Sequence, residues 1–521
     1  MLFNTSFLKL YKTPLLMVLA SVAFYFSFAY DLVKTDFIKL IMLYVTLFFL
    51  FNKHIQITKH NIKFLTWVAF GFRAVFILAI PNLSQDFYRF IWDGRIILEG
   101  INPYIFTPEL LITNSELPVA QAHELFEGMG ELNASHYTNY PPINQLCFVI
   151  AGVFSGKSIL GSVIVMRLLI IAADFGTLFF GKKLLVKLNM PAHTIFWYIL
   201  NPFIIIELTG NLHFEGVMIF FLVWSLYVFH SGHWKWAAVL FALSVSVKLI
   251  PLIFLPLFYQ WFIKSKRVKN EILKQVQDDK NVNVNANLLA VNQDKLKMKQ
   301  SVLKDKITSS LPLRNDEPHV ISSTCEKSHN IESSLMFRMT KLATFYAIVG
   351  IATLLLFAPF YSSEFISNYA ETVGLWFQNF EFNASLYYIA REIGYTFRGF
   401  NEIAIIGKYI AIIVILFVLI LSFFRRNKTT KELISAMLFV LTFYYFTATT
   451  VHPWYIATLL ILSVFTKYKF PVVWSFIIVL SYLAYANNDN TENLWIIGLE
   501  YVIVYGVFIW EVFLKSQKKM L

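Results

Sequence analysis

Ile403-Ala-Ile-Ile-Gly-Lys-Tyr-Ile-Ala-Ile-Ile-Val-Ile-Leu-Phe-Val-Leu-Ile-Leu-Ser-Phe-Phe424 carries a single charge, Lys408, and runs straight into Arg425-Arg426-Asn427-Lys428. A helix needs roughly 20 apolar residues to cross the hydrocarbon core of a bilayer. A cation cluster directly after such a run marks the side on which Lys and Arg collect. This one stretch therefore reads as a membrane span with its end held at the basic face. Comparable runs, some shorter, occur at about 15–30, 37–51, 63–81, 160–181, 193–209 and 216–231, and again at 341–361, 431–449, 453–466, 470–486 and 493–514.

Composition agrees. Hydrophobic residues make up 57% of the 521 residues and charged residues 15%, well away from the balance of a soluble domain. The expected fold is an all-α polytopic membrane protein of about 13 transmembrane helices, within a range of about 11 to 14. Residues 235–262, broken by Lys248, Pro251 and Pro256, read as two short helices that rise and return. Residues 140–155 read as a half-length piece. The N-terminus is basic and then apolar, like a signal peptide, but no small-residue cleavage site follows and it reads as a first span. Cys147 and Cys325 imply no disulfide framework.

The net charge of +12 belongs to topology and not to nucleic-acid binding. With the N-terminus inside, the basic connectors near Lys53, Lys182, Lys264, Arg425, Lys467 and Lys515 all fall on the inner side. The opposite side receives 82–139, where eight acidic residues face only Arg89 and Arg95. It also receives the turn near 211–216, the segment 362–402, His452-Pro453-Trp454 and 487–493. The expected organisation is then 1–81 as N-terminal spans, 82–139 as a long outer loop, 140–263 as spans and half-helices, and 341–521 as C-terminal spans. Between them, 264–340 has fourteen Lys plus Arg, nine Asp plus Glu and a single aromatic residue, Phe337. It reads as a disordered basic cytoplasmic insertion.

The densest chemical signal is Ser84-Gln85-Asp86-Phe87-Tyr88-Arg89-Phe90-Ile91-Trp92-Asp93-Gly94-Arg95, followed by Gly100-Ile101-Asn102-Pro103-Tyr104. On a helix Asp86, Arg89 and Asp93 share one face. The expectation is an interfacial amphipathic helix that aims carboxylates and a guanidinium at a cavity; a merely solvated surface helix fits the same spacing. Lys248 in an apolar stretch is expensive unless it serves something, phosphate contact or snorkelling to the interface. His213 and Glu215, with Glu207 nearby, form a His-x-acid pair that admits a divalent cation, although spacing fixes no third ligand and requires no cofactor. They equally suit hydrogen bonding to sugar hydroxyls, as does His452 beside Trp454. Arg167 and Asp174, seven apart on one span, are expected in a buried polar pairing.

The motif Asp86–Arg95 with Gly100–Tyr104 resembles bacterial GT-C glycosyltransferases, most of all polyprenol-phosphate-mannose-dependent mannosyltransferases. Tyr140-Pro141-Pro142 with Gln145, Asn201-Pro202, Glu207, Gly210, His213-Phe214-Glu215, Lys248-Leu-Ile-Pro251, Phe382-Asn383-Ala384-Ser385-Leu386-Tyr387-Tyr388 and His452-Pro453-Trp454-Tyr455 follow in the same order. The resemblance leaves out 264–340, and Glu215 stands where the family more often has Asp. It implies a GT-C fold, a polyprenyl-phosphate sugar donor, a glycan or glycolipid acceptor, and a site on the outer face of a bacterial inner membrane. The acceptor hydroxyl is a poor nucleophile and needs a general base; the family's position for it matches Asp86, with Asp93 as the alternative. Direct displacement inverts the anomeric centre. Lys248, Arg89 and Arg391 are candidates for the leaving phosphate, and His213, Glu215, Glu207, His452 and Asn383 for other substrate contacts. The competing reading is a transporter or lipid-linked-sugar flippase, which calls for ionisable residues at the midplane and repeated halves. Neither is visible in the sequence.

Overall fold

The computed structural model describes residues 5–113, 119–264, 323–378, 380–487 and 491–515. Most of the insertion expected at 264–340 lies outside them. The described residues are helical throughout, with one isolated bridge, Phe382 to Thr450, and no strand.

Six helices among the described residues are long and apolar enough to cross a membrane: Lys12–Tyr30, Phe37–Thr58, Ile159–Lys187, Leu335–Phe360, Ile403–Phe423 and Leu494–Leu514. The run 193–209 is a seventh only if its two halves count together, for Ala192–Ile199 and Pro202–Gly210 meet at 50°. The cause is local. Pro202 has no N–H to continue the first helix, and the Asn201 side chain accepts the Phe203 N–H at 2.9 Å, which caps the second. Other apolar runs give shorter helices, including Pro142–Ser155, Glu215–His230, Trp234–Val245, Ile250–Lys264, Pro453–Val464 and Phe470–Ala486.

Two buried arginines tie this bundle together. Arg73 donates from Nε to Asp174 Oδ2 at 2.8 Å and from NH1 to the carbonyl of Ile199 at 2.7 Å. Arg167 is spread over four carbonyls, Thr209, Ile77, Ala79 and Gly210, at 2.6–3.0 Å. Arg167 and Asp174 thus do not pair with each other. Seven residues of helix set them about 10 Å apart along the axis, and each finds a partner on a different neighbour.

The described residues of the 82–139 segment form three helices, Asp86–Leu98, Pro108–Ile112 and Ala122–Ala134. The first differs from the expected interfacial helix: Phe87 and every residue from Arg89 to Ile96 are buried. Its Phe90 ring stacks on Phe148 of Pro142–Ser155 at 4.7 Å and 7°, and a side chain at Gly94 would run into the Phe148 backbone. That close approach is why the motif carries glycine there. Apart from Leu98 at its end, which is exposed, the motif helix is largely enclosed by the protein.

Candidate active site

Asp86 is the first residue of its helix, where the positive end of the helix dipole favours a carboxylate. It lines a cavity of about 960 Å³ whose walls also include Lys34, Asn133, Glu215, Lys248, Glu381, Tyr388, Arg391, His452, Trp454, Tyr485 and Glu492. These come from segments as far apart as 34 and 494. Burial pushes the Asp86 carboxyl above the usual carboxylate range, against the pull of Lys248 and the Asn133 amide, while Glu215 adds to the rise. Asn133 donates to Asp86 Oδ1 at 3.4 Å. It arrives there because the helix Ala122–Ala134 breaks at Gly130, whose φ of 75° suits glycine.

Lys248 sits in the turn between Trp234–Val245 and Ile250–Lys264. Its Nζ lies 3.2 Å from Glu215 Oε1 and 5.0 Å from the centre of the Tyr140 ring. Glu215 opens the preceding helix, Glu215–His230, and its other oxygen is buried with no hydrogen-bond partner among the described residues.

His213 and His452 belong to a stack of rings. His213 lies on Trp454 at 3.8 Å and 16°, Trp454 on His452 at 4.5 Å and 4°, and His452 on Phe382 at 5.1 Å. Phe382 continues to Tyr485 at 5.8 Å. The turn that delivers His213 passes through Leu212 at φ 61°, a strained value for a bulky residue. Burial lowers both imidazoles, helped by the charge of Lys248: His213 well below its ordinary value, His452 to about 3. Both are neutral at physiological pH, so they offer hydrogen bonds and ring faces and no positive charge. Glu207 stands behind this stack, 4.0 Å from His213 Nε2 and holding the Tyr482 hydroxyl at 2.9 Å.

The remaining expected residues take other places. Asp93 and Arg89 do not reach the cavity. Arg89 Nε donates to Asp93 Oδ1 at 2.8 Å, Gln145 donates to Asp93 Oδ2 at 3.1 Å, and Arg89 NH1 holds the carbonyls of Asn133 and His136. This buried pair anchors the strip of chain that presents Asn133 to Asp86. Asn383, at φ 46°, turns inward to Glu500 and receives no cavity wall; its N–H donates to Glu492 Oε1 at 2.6 Å. Arg391 does line the cavity, but Glu381 at 2.6 Å and Glu392 at 2.9 Å already take its charge. His213 and Glu215 face different partners. Among the described residues no three His, Cys, Asp or Glu side chains are grouped to hold a metal ion.

Sequence reasoning missed Lys34, Glu381 and Glu492, and it gave Tyr388 a place in a motif without a role. Lys34 had a visible signal, a lysine in a short connector on the side otherwise poor in cations. Its Nζ rests 3.7 Å from the Tyr485 ring centre; burial lowers it and Asp86 opposes that. The Glu492 carboxylate accepts from the Tyr388 hydroxyl, a contact across 104 residues that no local pattern announces.

The arrangement offers a half-buried carboxylate, two cations within its field and a floor of stacked rings, opening on a space large enough for sugar-sized groups. Residues 14–264 match the family described as Alpha-(1->6)-mannopyranosyltransferase, N-terminal domain. The Alpha-(1->6)-mannopyranosyltransferase A of Mycobacterium tuberculosis is 22% identical over 189 residues, which is 36% of this chain. The matched part spans about a third, 34%, of that relative's length. No solved structure matches the chain. Residues 14–264, which bring Lys34, Asp86, Glu215 and Lys248 to the cavity, are thus similar to the mannopyranosyltransferase family, in agreement with the GT-C resemblance carried by the motifs.

Proposed function

We propose that this protein is a membrane mannosyltransferase that uses a polyprenyl-phosphate sugar as donor and a glycan or glycolipid as acceptor. The observation that carries the reading is Asp86, a carboxylate with raised proton affinity on the wall of a large cavity, flanked by Lys248 and Lys34. A base is most effective when its pKa approaches the working pH, and the burial of Asp86 moves it in that direction. The acceptor hydroxyl attacks the anomeric carbon as the bond from that carbon to the phosphate oxygen breaks. Asp86 takes the hydroxyl proton, and the phosphate leaves with the bonding electrons beside Lys248 and Lys34, whose charge is already in place. The anomeric centre inverts, so a β-linked donor gives an α-glycoside. That outcome accords with the α product in the relative's name.

Much of the cavity lining comes from the segments that charge distribution assigns to the outer side, at 83–86, 131–139, 215, 373–391, 452–454 and 491–492. This supports a site facing outward across a bacterial inner membrane. Purified protein in liposomes, given radiolabelled polyprenyl-phosphate mannose and an α-mannoside acceptor, tests the reading against its rival. Label covalently attached to the acceptor is the expected result. Movement of the labelled lipid across the bilayer with no covalent product would establish the transporter instead.

A further inference from the structure

The helix Leu386–Arg398 has two sharply different faces. Leu386, Ile389, Ile393 and Phe397 recur at helical spacing and form a bare apolar stripe, with Ile393 54% and Phe397 83% exposed. Tyr387 and Tyr388, on the opposite side, are 1% and 7% exposed, and Tyr388 and Arg391 form part of the cavity wall. Thirteen residues of helix measure about 20 Å, too short to cross a hydrocarbon core of about 30 Å. The stripe is therefore not the surface of another span.

What it meets follows from what is attached to it. Four residues, Gly399–Glu402, separate this helix from the span Ile403–Phe423, and Asn401 closes the turn by accepting the Ile403 N–H at 3.1 Å. On that span Ile405, Tyr409, Ile412, Ile413 and Leu416 are all exposed, the surface of a helix that faces lipid. The stripe thus begins where a lipid-facing span reaches the membrane surface. Tyr361 and Ile366 are bare at the neighbouring corner, where the span Leu335–Phe360 ends. Glu392 and Arg398 are also exposed on this helix, off the stripe. An apolar stripe with charges beside it and low overall hydrophobicity is the pattern of a helix lying in the membrane surface.

We propose that Leu386–Arg398 lies in the plane of the bilayer surface on the cavity's side, with Leu386, Ile389, Ile393 and Phe397 seated among lipid chains and its other face forming the cavity wall. The surface of the lipid is then one of the supports of the site. It fixes the depth of Tyr388 and Arg391, and through the Tyr388–Glu492 and Arg391–Glu381 contacts it steadies that side of the cavity. This placement is independent of the reaction the cavity performs.

Site-directed spin labelling of the full chain tests it. With Cys147→Ala and Cys325→Ser removing the native thiols, single cysteines are introduced as Ile389→Cys, Ile393→Cys, Phe397→Cys and Glu392→Cys, labelled with a nitroxide and placed in phospholipid nanodiscs. All four sites lie on the outside of the protein, and co-elution with the unlabelled chain verifies the fold. The expected result is a reversal along the helix: relaxation by dissolved oxygen dominates at 389, 393 and 397, and relaxation by a water-soluble nickel chelate dominates at 392. Equal access of the nickel chelate to all four sites would overturn the proposal by placing the stripe in water. Exclusion of both reagents with dipolar broadening between labels would overturn it by placing a second copy of the chain there.

Discussion

Asp86 and Asp93 are both acids of one motif, seven residues apart, and their surroundings separate their roles. Asp86 touches the cavity and is offered one amide N–H; Asp93 is enclosed and held by Arg89 and Gln145. With Asp86 as base, catalysis requires its ionised form, so kcat/KM falls as pH drops through its pKa. Because burial raises that pKa, the acid limb is expected above the ordinary Asp value of about 4. Asn133→Ala removes a group that lowers it and should move the limb to higher pH. Glu215→Gln removes one that raises it and should move the limb lower. A pH profile of kcat/KM for the two variants checks both signs. Asp93→Asn is expected to act through stability instead. It leaves Arg89 buried without its counter-charge, a loss on the order of 3–5 kcal/mol, visible as a lower melting temperature in detergent. Helical spacing made the Asp86–Arg89–Asp93 face legible in the sequence; which way that face points was not, since periodicity fixes a side of a helix and says nothing of its neighbour.

At the level of elements, the six long spans were legible because bilayer thickness sets a length and apolarity that composition displays directly, whereas several of the other apolar runs counted towards about 13 spans form helices of 17 residues or fewer. The break in 193–209 was less so, although Asn201-Pro202 carried both halves of its cause, a capping side chain and a missing donor. The identity of the amphipathic helix was misread for a physical reason. Asp86–Leu98 has charges at helical spacing, but two of them, Arg89 and Asp93, neutralise each other inside the fold. In Leu386–Arg398 the apolar stripe stays bare and the polar side meets the cavity. A charged helical face can be satisfied internally, whereas an exposed apolar stripe of this length demands a partner.

The whole molecule assembles its cavity from connectors on one side, from Lys34 to Leu494. That is why the candidate site was legible only in part: Asp86, Glu215, Lys248 and His452 sit in recognisable local motifs, while Lys34, Glu381 and Glu492 matter only through contacts across the chain. The segment 265–322 carries none of the motifs that resemble the mannosyltransferases, and it lies outside the described residues. The helices that flank it meet directly, with Arg338 donating to the carbonyl of Ile263 at 2.5 Å. Replacing 270–318 with a short Gly-Ser linker is therefore expected to leave transfer activity within about twofold of the full chain, well under the ~1 kcal/mol of a perturbed site. A transfer assay on equal amounts of inserted protein checks it.

The most direct test of the account is transfer from radiolabelled polyprenyl-phosphate mannose by wild type and Asp86→Asn, present at equal level and with matching melting temperatures. Removing a general base should lower the rate by about 10²- to 10⁴-fold while the donor still binds. Activity retained by Asp86→Asn would contradict the account and move the base elsewhere in the cavity.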